Sequence, residues 1–531
     1  APDGERIPEL LRELLPQQLP WALERVLGHW DERLGRMRIH TPDPDMDRMV
    51  NRFLPYQVLA SRLLGRAGLY QPGGAYGFRD QLQDALALLY TQPELVRERI
   101  LDAAAHQFRE GDVQHWWHPP RKGVRTRIKD DLLFLPFLAC RYADVTGQTD
   151  IWEVEIPWLE GPPVPEGQED WYGEPAVSQD KAPLWQHCRQ AFRQAMQFGE
   201  HGLPLMGGGD WNDGMNRVGI EGRGESVWLG FFLYATLAEC LPVMKRYDRQ
   251  DALHWEQRMA SLRQALETHG WDGEWYRRAY FDDGTPLGTA QGEVCRIDAI
   301  SQSWAVLSGA AADNRARTAM EQAHNRLFDP ETGIMRLLDP PFDEGKGQDP
   351  GYIRGYIPGV RENGGQYTHA AVWMVMAWCA LGEGERAHFL FSHLNPIDHA
   401  RTEGEALRYR AEPYAVAADI YGQQPLTGRG GWTWYTGSAA WMHYAALYGI
   451  LGLRVREGRL WLEPAIPKHW PEYTIYWQRG EARLEIRVCN PNGLQGGVDR
   501  LLLDGEPCPE GWVPLPERGE HLVEAFIGAC Q

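Results

Sequence analysis

The hydrophobic period of this chain changes once along its length, and no other feature constrains its fold as strongly. From about Met46, apolar residues recur at helical spacing in segments 47–66, 82–109, 131–146, 183–199, 226–247, 251–268, 299–311, 315–327, 367–381, 384–393 and 433–450. After Leu453 the period becomes two: Leu453-Arg-Val-Arg, Arg459-Leu-Trp-Leu and Ala482-Arg-Leu-Glu-Ile-Arg-Val alternate and are bounded by Gly, Pro and Asn. Each pattern buries one face only in its own secondary structure. The expected organisation is an N-terminal helical lead-in over 1–45, a mainly α catalytic unit over 46–452 and a small β domain over 453–531. The lead-in is helical from Ile7 to Leu27 and leaves through Thr41-Pro-Asp-Pro. Roughly a dozen helices in one unit suggest paired helices closed into a ring, with the loops at one end building a site. The acidic, Pro-rich stretch 149–182 is long enough to be a functional lid or a disordered segment.

Charge narrows the partners. A net charge of −19 and a pI near 5.4 argue against nucleic acid and anionic membrane surfaces, which favour basic footprints. Tryptophan (23) outnumbers phenylalanine (15), and several tryptophans lie in polar, Gly-rich stretches, as expected of a carbohydrate cleft. Eight cysteines without a C-x-x-C pair or regular spacing indicate neither a zinc site nor a disulfide framework, so a reducing, cytoplasmic setting is expected. No apolar run reaches the ~18–20 residues of a membrane-spanning helix. The opening Ala1-Pro-Asp-Gly-Glu lacks the basic and apolar regions of a signal peptide and an initiator methionine, as expected of a fragment whose parent chain could carry membrane anchors.

The chemistry concentrates in five stretches. Gly207-Gly-Gly-Asp-Trp-Asn-Asp-Gly-Met215 sets two carboxylates beside an indole and an amide, between glycines that let backbone approach a substrate. Read as structure alone, it is a helix start with an Asp or Asn cap. Tyr76-Gly-Phe-Arg-Asp-Gln-Leu-Gln-Asp84 opens a helix densely furnished with hydrogen-bonding side chains. His115-Trp-Trp-His-Pro-Pro120 is followed by Val124-Arg-Thr-Arg-Ile-Lys-Asp-Asp131, whose arginines and aspartates either clamp sugar hydroxyls or form a surface ion-pair network. Val360-Arg-Glu-Asn-Gly-Gly-Gln-Tyr-Thr-His369 ends on a histidine entering an apolar helix, a ligand group or a core histidine. In Gly428-Arg-Gly-Gly-Trp-Thr-Trp-Tyr-Thr-Gly-Ser-Ala-Ala-Trp441 a Thr-Gly-Ser turn offers hydroxyls and free N–H groups to an anion. No lysine follows it, so the stretch does not match a nucleotide P-loop.

With these residues in view, the chain resembles glycoside hydrolase family 94, the inverting disaccharide and oligosaccharide phosphorylases, and within it most nearly the C-terminal phosphorylase-like domain of cyclic β-1,2-glucan synthases. The likeness runs from about residue 30 to 531 and rests on YQxxGAYGFRDQLQD, EGDVQHWWHPP, GVRTRIxDDLL, GDWNDGMNRVG, RENGGQYTHAAVW, EPYxVAADIY and GRGGWTWYTGSAAWM, in that order. It implies an (α/α)6 barrel with a small C-terminal β-sandwich appendage, and an enzyme catalysing reversible phosphorolysis of β-linked gluco-oligosaccharides, β-1,2-glucan foremost, to α-glucose 1-phosphate. By the same resemblance Asp213 is the general acid. Arg125, Asp131 and Trp211 hold the donor sugar, with Tyr356 and Glu362 nearby and Arg361 where relatives carry lysine. His369, Thr436 and Gly437 bind phosphate, which serves as co-substrate with no metal or organic cofactor. Asp210 could raise the pKa of Asp213.

Two departures stand out. Ala417, Ala418 and Asp419 occupy the neighbourhood where cellobiose-acting members place a phosphate-site glutamine, and the N-terminal β-sandwich of stand-alone phosphorylases is missing or reduced to 1–45. The resemblance also suggests a homodimer, or a domain of a larger membrane-bound synthase facing the cytoplasm. The competing readings are an inverting hydrolase and a decayed glucan-binding module.

Overall fold

The computed structural model describes residues 7–13, 15–66 and 74–528. Ala1-Pro-Asp-Gly-Glu, the Tyr70 to Gly73 start of the first motif, and Cys530 lie outside the described residues. Six helices pack in cyclic order: Phe78–Leu86, Phe134–Thr146, Val227–Tyr247, Ala299–Leu307, Thr368–Ala380 and Ser438–Tyr444, with the last returning to the first. A second set of helices packs against the ring, each on at least one ring helix: Pro93–Ala104, Leu184–Ala195, Arg249–Ala265, Asp313–Leu327, Gly384–Leu394 and Leu54–Gln57.

Composition explains which helix goes where. In Thr368–Ala380 every residue from Thr368 to Cys379 is buried, the signature of a helix with neighbours on all sides. Asp313–Leu327 buries only Ala316, Ala319, Met320, Ala323 and Leu327, a stripe at spacings of three and four that leaves its other face to solvent. Inside the ring, Trp373 stands edge-on to Trp304 and Trp441 at centroid distances of 5.3 and 5.5 Å and lies parallel to Trp228 at 6.1 Å. Each such aromatic pair adds ~0.5–1.5 kcal/mol beyond its buried area. This aromatic plug closes the floor beneath the loops.

The C-terminal residues form a six-stranded sheet and a three-stranded one. In the larger sheet, Glu472–Arg479 and Glu481–Cys489 pair antiparallel and Arg518–Ile527 runs parallel to Glu481–Cys489. Its edge is not C-terminal. After the exposed helix Leu19–Gly35, Met37–His40 pairs with Glu472–Arg479 in the register Met37↔Trp477 to His40↔Thr474. The lead-in is therefore helical only in part, because the alternating burial of Met37 and Ile39 sends those four residues into the distant sheet.

Other expectations need correction. Segment 82–109 divides into two helices at Pro93, whose missing N–H suits a first helical position and not an interior one. The stretch 149–182 is not disordered: Glu155–Glu160 pairs with Ala176–Pro183, and Asp170–Gly173 joins Lys122–Thr126. A helix at Glu403–Tyr409, opened by a Thr402–Glu405 capping box, is not among the periodic segments. Cys140 and Cys240 form a disulfide between two ring helices, Cα atoms 6.1 Å apart; their separation of 100 residues carries no spacing signal. Finally, Val227–Tyr247 is long and apolar enough to cross a membrane by length and composition, although it packs here as a ring helix.

Candidate active site

The Gly207–Met215 loop lies over the ring, and its two aspartates face opposite ways. Asp210 is fully buried; Arg278 donates to its two carboxylate oxygens at 2.7 and 2.5 Å, and Ser226 Oγ donates at 2.7 Å. Ser226 also caps the Val227–Tyr247 helix through the Leu229 N–H at 3.0 Å, so Asp210 fastens the loop to a ring helix. Asp213, three residues on, opens a single 3-10 turn and keeps 32% of its side chain exposed. The backbone there is pressed by a second loop, Tyr352–Gly355, preceded by Gly351 at φ 121°. A Cβ on Gly351 would meet Asn216 Oδ1, so glycine is required for that approach.

Two cations grip Asp213. Arg79 Nη2 donates to its Oδ1 at 2.6 Å while Nη1 donates to both Asp130 oxygens at 2.9 Å and to the Asp210 carbonyl at 3.1 Å. His115 Nδ1 bonds Asp131 Oδ2 at 2.7 Å, and its Nε2 stands 3.6 Å from Asp213 Oδ2. Burial pushes the Asp213 carboxyl up, but Arg79 and His115 outweigh it and hold the group down at about 2. Burial opposes charge on His115 too, and Asp131 with Asp213 overcome it, so His115 is raised well above its usual range and protonated. Asp130 moves the other way: burial and three neighbouring carboxylates push it well up against the pull of Arg79. Asp213 therefore ends lowered and not raised, and Asp210 is paired with Arg278.

The other expected residues distribute unevenly around this cluster. Asp131 joins it, buried, with Oδ1 lacking a hydrogen-bond partner. Trp211 is 7% exposed and packs its ring edge-on against Tyr367 and His369 at 5.4 and 5.2 Å, linking the acid loop to the aromatic floor. Arg125 does not join. Its guanidinium is taken up by Asp112 at 2.6 and 2.7 Å, Glu110 at 3.1 Å and the carbonyls of Gly161 and Pro162. Across the cleft, Arg361 lies over the rings of Tyr356 and Trp432 at 4.7 and 4.2 Å and sits 3.8 Å from Glu362. Glu362 Oε2, the oxygen nearest Arg361, has no hydrogen-bond partner; burial raises its pKa, Arg361 opposes, and Asp213 adds to the rise, which puts Glu362 and Asp213 in one field.

His369, Thr436 and Gly437 meet at the top of the next two ring helices. His369 is 8% exposed with Nε2 unpartnered, and burial together with Arg79 and Arg62 presses its pKa well below the usual value, so the ring is neutral. Thr436 Oγ1 and Ser438 Oγ bond at 2.8 Å. A Cβ placed on Gly437 would lie 3.9 Å from Cε1 and Nδ1 of the His369 ring and 3.6 Å from Asp84 Oδ1, ordinary van der Waals distances. Ala417 and Ala418 are buried and bring no polar side chain; Asp419 accepts the Arg361 N–H at 2.9 Å. Sequence reasoning marked the segments holding Arg79 and His115 without assigning them roles, and Arg62 and Tyr352 carried no signal. Tyr352 is half exposed yet lies in the field of Asp213 and Glu362.

These residues can protonate a leaving group from Asp213, bind hydroxyls at Asp131 and Glu362, and hold an anion beside His369. Comparison with known proteins agrees in kind. The chain is 49% identical over 510 residues to the cyclic beta-(1,2)-glucan synthase NdvB of Rhizobium meliloti (strain 1021), covering 96% of this chain and 18% of that protein. It is 30% identical to the solabiose phosphorylase of Paenibacillus borealis and 29% identical to the N,N'-diacetylchitobiose phosphorylase of Vibrio proteolyticus, covering 99% of this chain and 65% and 66% of theirs. The chain thus spans under a fifth of the synthase and about two thirds of each phosphorylase. Among solved structures, a GH78 family rhamnosidase of Bacillus sp. GL1 superposes with a TM-score of 0.55 at 12% identity, over 86% of this chain and 43% of its own, a likeness of fold alone. The sequence profile of the Glycosyl hydrolase 94 superfamily, catalytic domain, matches residues 29–452, and the chain belongs to that family.

Proposed function

We propose that this chain is an inverting glycoside phosphorylase whose ring and outer helices form an (α/α)6 barrel. The carrying observation is the pairing of a part-exposed carboxyl, Asp213, with a neutral histidine, His369, whose Nε2 is unpartnered and whose ring lies against Gly437. Inversion requires an acid on one side of the sugar ring and a nucleophile on the other. Phosphate is already anionic, so it needs no protein base. It attacks the anomeric carbon from the His369, Thr436 and Gly437 side while Asp213 gives its proton to the departing glycosidic oxygen, yielding α-glucose 1-phosphate and a glucan one sugar shorter.

The acid must be loaded first, and Arg79 and His115 oppose that. His369 lies in the field of both Arg79 and Arg62. An oxyanion entering beside it cancels part of that positive field and lifts Asp213 toward protonation. Phosphate thus acts twice, as nucleophile and as the charge that primes the acid. Asp131 and Glu362, each with an oxygen that lacks a hydrogen bond, receive sugar hydroxyls. The stretch 149–182 borders the acceptor side, since Glu169 accepts from Asn216 at 2.8 Å, three residues beyond Asp213.

Identity with the β-1,2-glucan synthase supports β-1,2-glucan as the substrate, and within a longer membrane-bound synthase, on its cytoplasmic side, the reaction would set chain length. Hydrolysis is the second reading, favoured by the raised pKa of Glu362, which suits a base. Incubation with linear β-1,2-glucan, with and without phosphate, separates them. Phosphate-dependent glucose 1-phosphate supports phosphorolysis; free glucose without phosphate overturns it.

A further inference from the structure

Two aromatic side chains on the sheet beside the acid loop have no part in the chemistry above. Gln114–His118 pairs with Lys122–Thr126, which pairs in turn with Asp170–Gly173. In that register Trp116 lies opposite Val124 and Val124 opposite Tyr172, so the three share one face of the sheet. The two rings meet at 5.9 Å between centroids with a tilt of 44°, and His118 stands edge-on to Trp116 at 5.7 Å. The other face is the interior one: Trp117, 2% exposed, lies parallel to His106 at 3.8 Å and to Tyr76 at 5.6 Å. Trp117 is therefore core, whereas Trp116 is part-exposed and Tyr172 is 53% exposed. A single exposed tyrosine carries no information. Two open rings in one cross-strand row form a surface.

Both outer strands of this row are tied to the acid loop. The register shifts between Gln114 and Trp116, and the extra residue of that bulge is His115, which the kink aims at Asp213, Nε2 3.6 Å from Oδ2. Trp116 is the next residue. Asp170–Gly173 follows Glu169, which accepts from Asn216 at 2.8 Å, three residues beyond Asp213. Strand spacing puts the backbones of Trp116 and Tyr172 about 10 Å apart.

We propose that Trp116 and Tyr172 form a distal binding surface for the glucan chain, several sugars beyond the bond that is cut, so that long chains are held and short ones are not. The inference rests on the phosphorylase reading above. A pyranose is neutral and presents C–H groups on one face, with hydroxyls around its rim. The row offers two aromatic rings for that face. Lys122 Nζ, 5.4 Å over the Tyr172 ring, and the His118 imidazole supply polar groups for the hydroxyls. Only the terminal sugar sits on the far side of the cut bond; the rest of the chain leaves past the acid loop, which the row borders on both its strands.

The test measures phosphorolysis, and calorimetric binding without phosphate, of linear β-1,2-glucans from the disaccharide to long chains, on the whole protein. Wild-type kcat/KM is expected to rise about tenfold with length, the worth of an aromatic anchor. In Tyr172→Ala that rise is lost, about fivefold or more on long chains and little on the disaccharide. Tyr172→Phe keeps the ring and keeps the rise. Trp116→Ala acts the same way, and if that variant fails to fold, the exposed Tyr172 decides alone. A wild-type kcat/KM that is flat with length overturns the proposal, as does a Tyr172→Ala loss of equal size on the disaccharide. So does altered sedimentation of Tyr172→Ala with unchanged glucan affinity, which makes the face a protein contact. Glucose 1-phosphate release with no dependence on Tyr172 removes the row and leaves the phosphorylase reading. Length-dependent glucan binding that needs Tyr172, with no glucose 1-phosphate, does the reverse. Binding and turnover of no glucan overturn both.

Discussion

Asp210→Asn and Asp213→Asn remove the same atom from aspartates three residues apart, and the structure assigns them opposite consequences. Asp210 and Arg278 are both fully buried and joined by two short charge-assisted bonds. Breaking such a pair costs ~3–5 kcal/mol because a charge is left behind in the interior. Asp298, 3.3 Å from Arg278 Nε, remains as a counter-ion, and the Ser226 bond can be kept by asparagine, so the loss falls near the lower end, about 3 kcal/mol. Asp213 is 32% exposed, and Arg79 keeps both bonds to Asp130 without it, so Asp213→Asn costs ~0–1 kcal/mol of stability. Its loss appears instead in rate: removing a general acid costs about 10²-fold or more, or about 2.7 kcal/mol of barrier. The assay pairs urea unfolding with glucose 1-phosphate release per folded molecule. Asp210→Asn should unfold early yet turn over nearly normally where folded; Asp213→Asn should stay within ~1 kcal/mol of the wild type in stability and be slow. The reasoning is refuted if Asp210→Asn unfolds like the wild type while losing rate as Asp213→Asn does, or if Asp213→Asn retains near-normal phosphorolysis.

The remaining predictions use the same cluster and its neighbour. Gly437→Ala meets only ordinary contacts, 3.6 Å at the nearest, so its melting temperature should match the wild type while KM for phosphate rises about tenfold or more, ~1.4 kcal/mol of lost anion binding; an unchanged KM would move phosphate elsewhere. His115→Asn removes one of the two cations that hold Asp213 at about 2, so the carboxyl rises toward its usual value and the alkaline limb of kcat/KM moves to higher pH; a pH profile whose limb stays put counts against the pairing. Asp213 also carries a stability signature. Its folded value of about 2 lies below its unfolded one, so its contribution is present above about pH 4 and is lost as pH falls toward 2. The melting temperatures of wild type and Asp213→Asn should therefore converge on acidification, and a constant gap would deny the shift.

Apolar periodicity made the helices legible, since burial on one face or all faces leaves a mark every three to four residues. It was silent wherever a polar side chain is buried by a partner far away. Arg79 and Asp213 are 134 residues apart, and Arg278 and Asp210 are 68 apart; no local pattern reports either pairing. The spacing of Asp210 and Asp213 left either able to face the cleft, and only Arg278 decides which one does. Arg125 shows the converse: its motif was conspicuous, but Asp112, equally local, claims it. Met37–His40 was misread because four alternating residues after a helix are too few to register as a strand until their partner at Glu472–Arg479 is known.

That pairing also sets a schedule. During synthesis Met37–His40 emerges more than 400 residues before the strand it joins, and the helix Phe78–Leu86 waits nearly as long for Ser438–Tyr444 to close the ring. At ribosomal speeds of ~5–20 residues per second the wait is roughly 20 to 90 seconds. Over that interval the nascent chain holds an unpaired strand and an open seam of tryptophan-rich helices, the surfaces that chaperones recognise. Kinetic protection on the ribosome, more than final stability, should therefore limit the yield of folded protein.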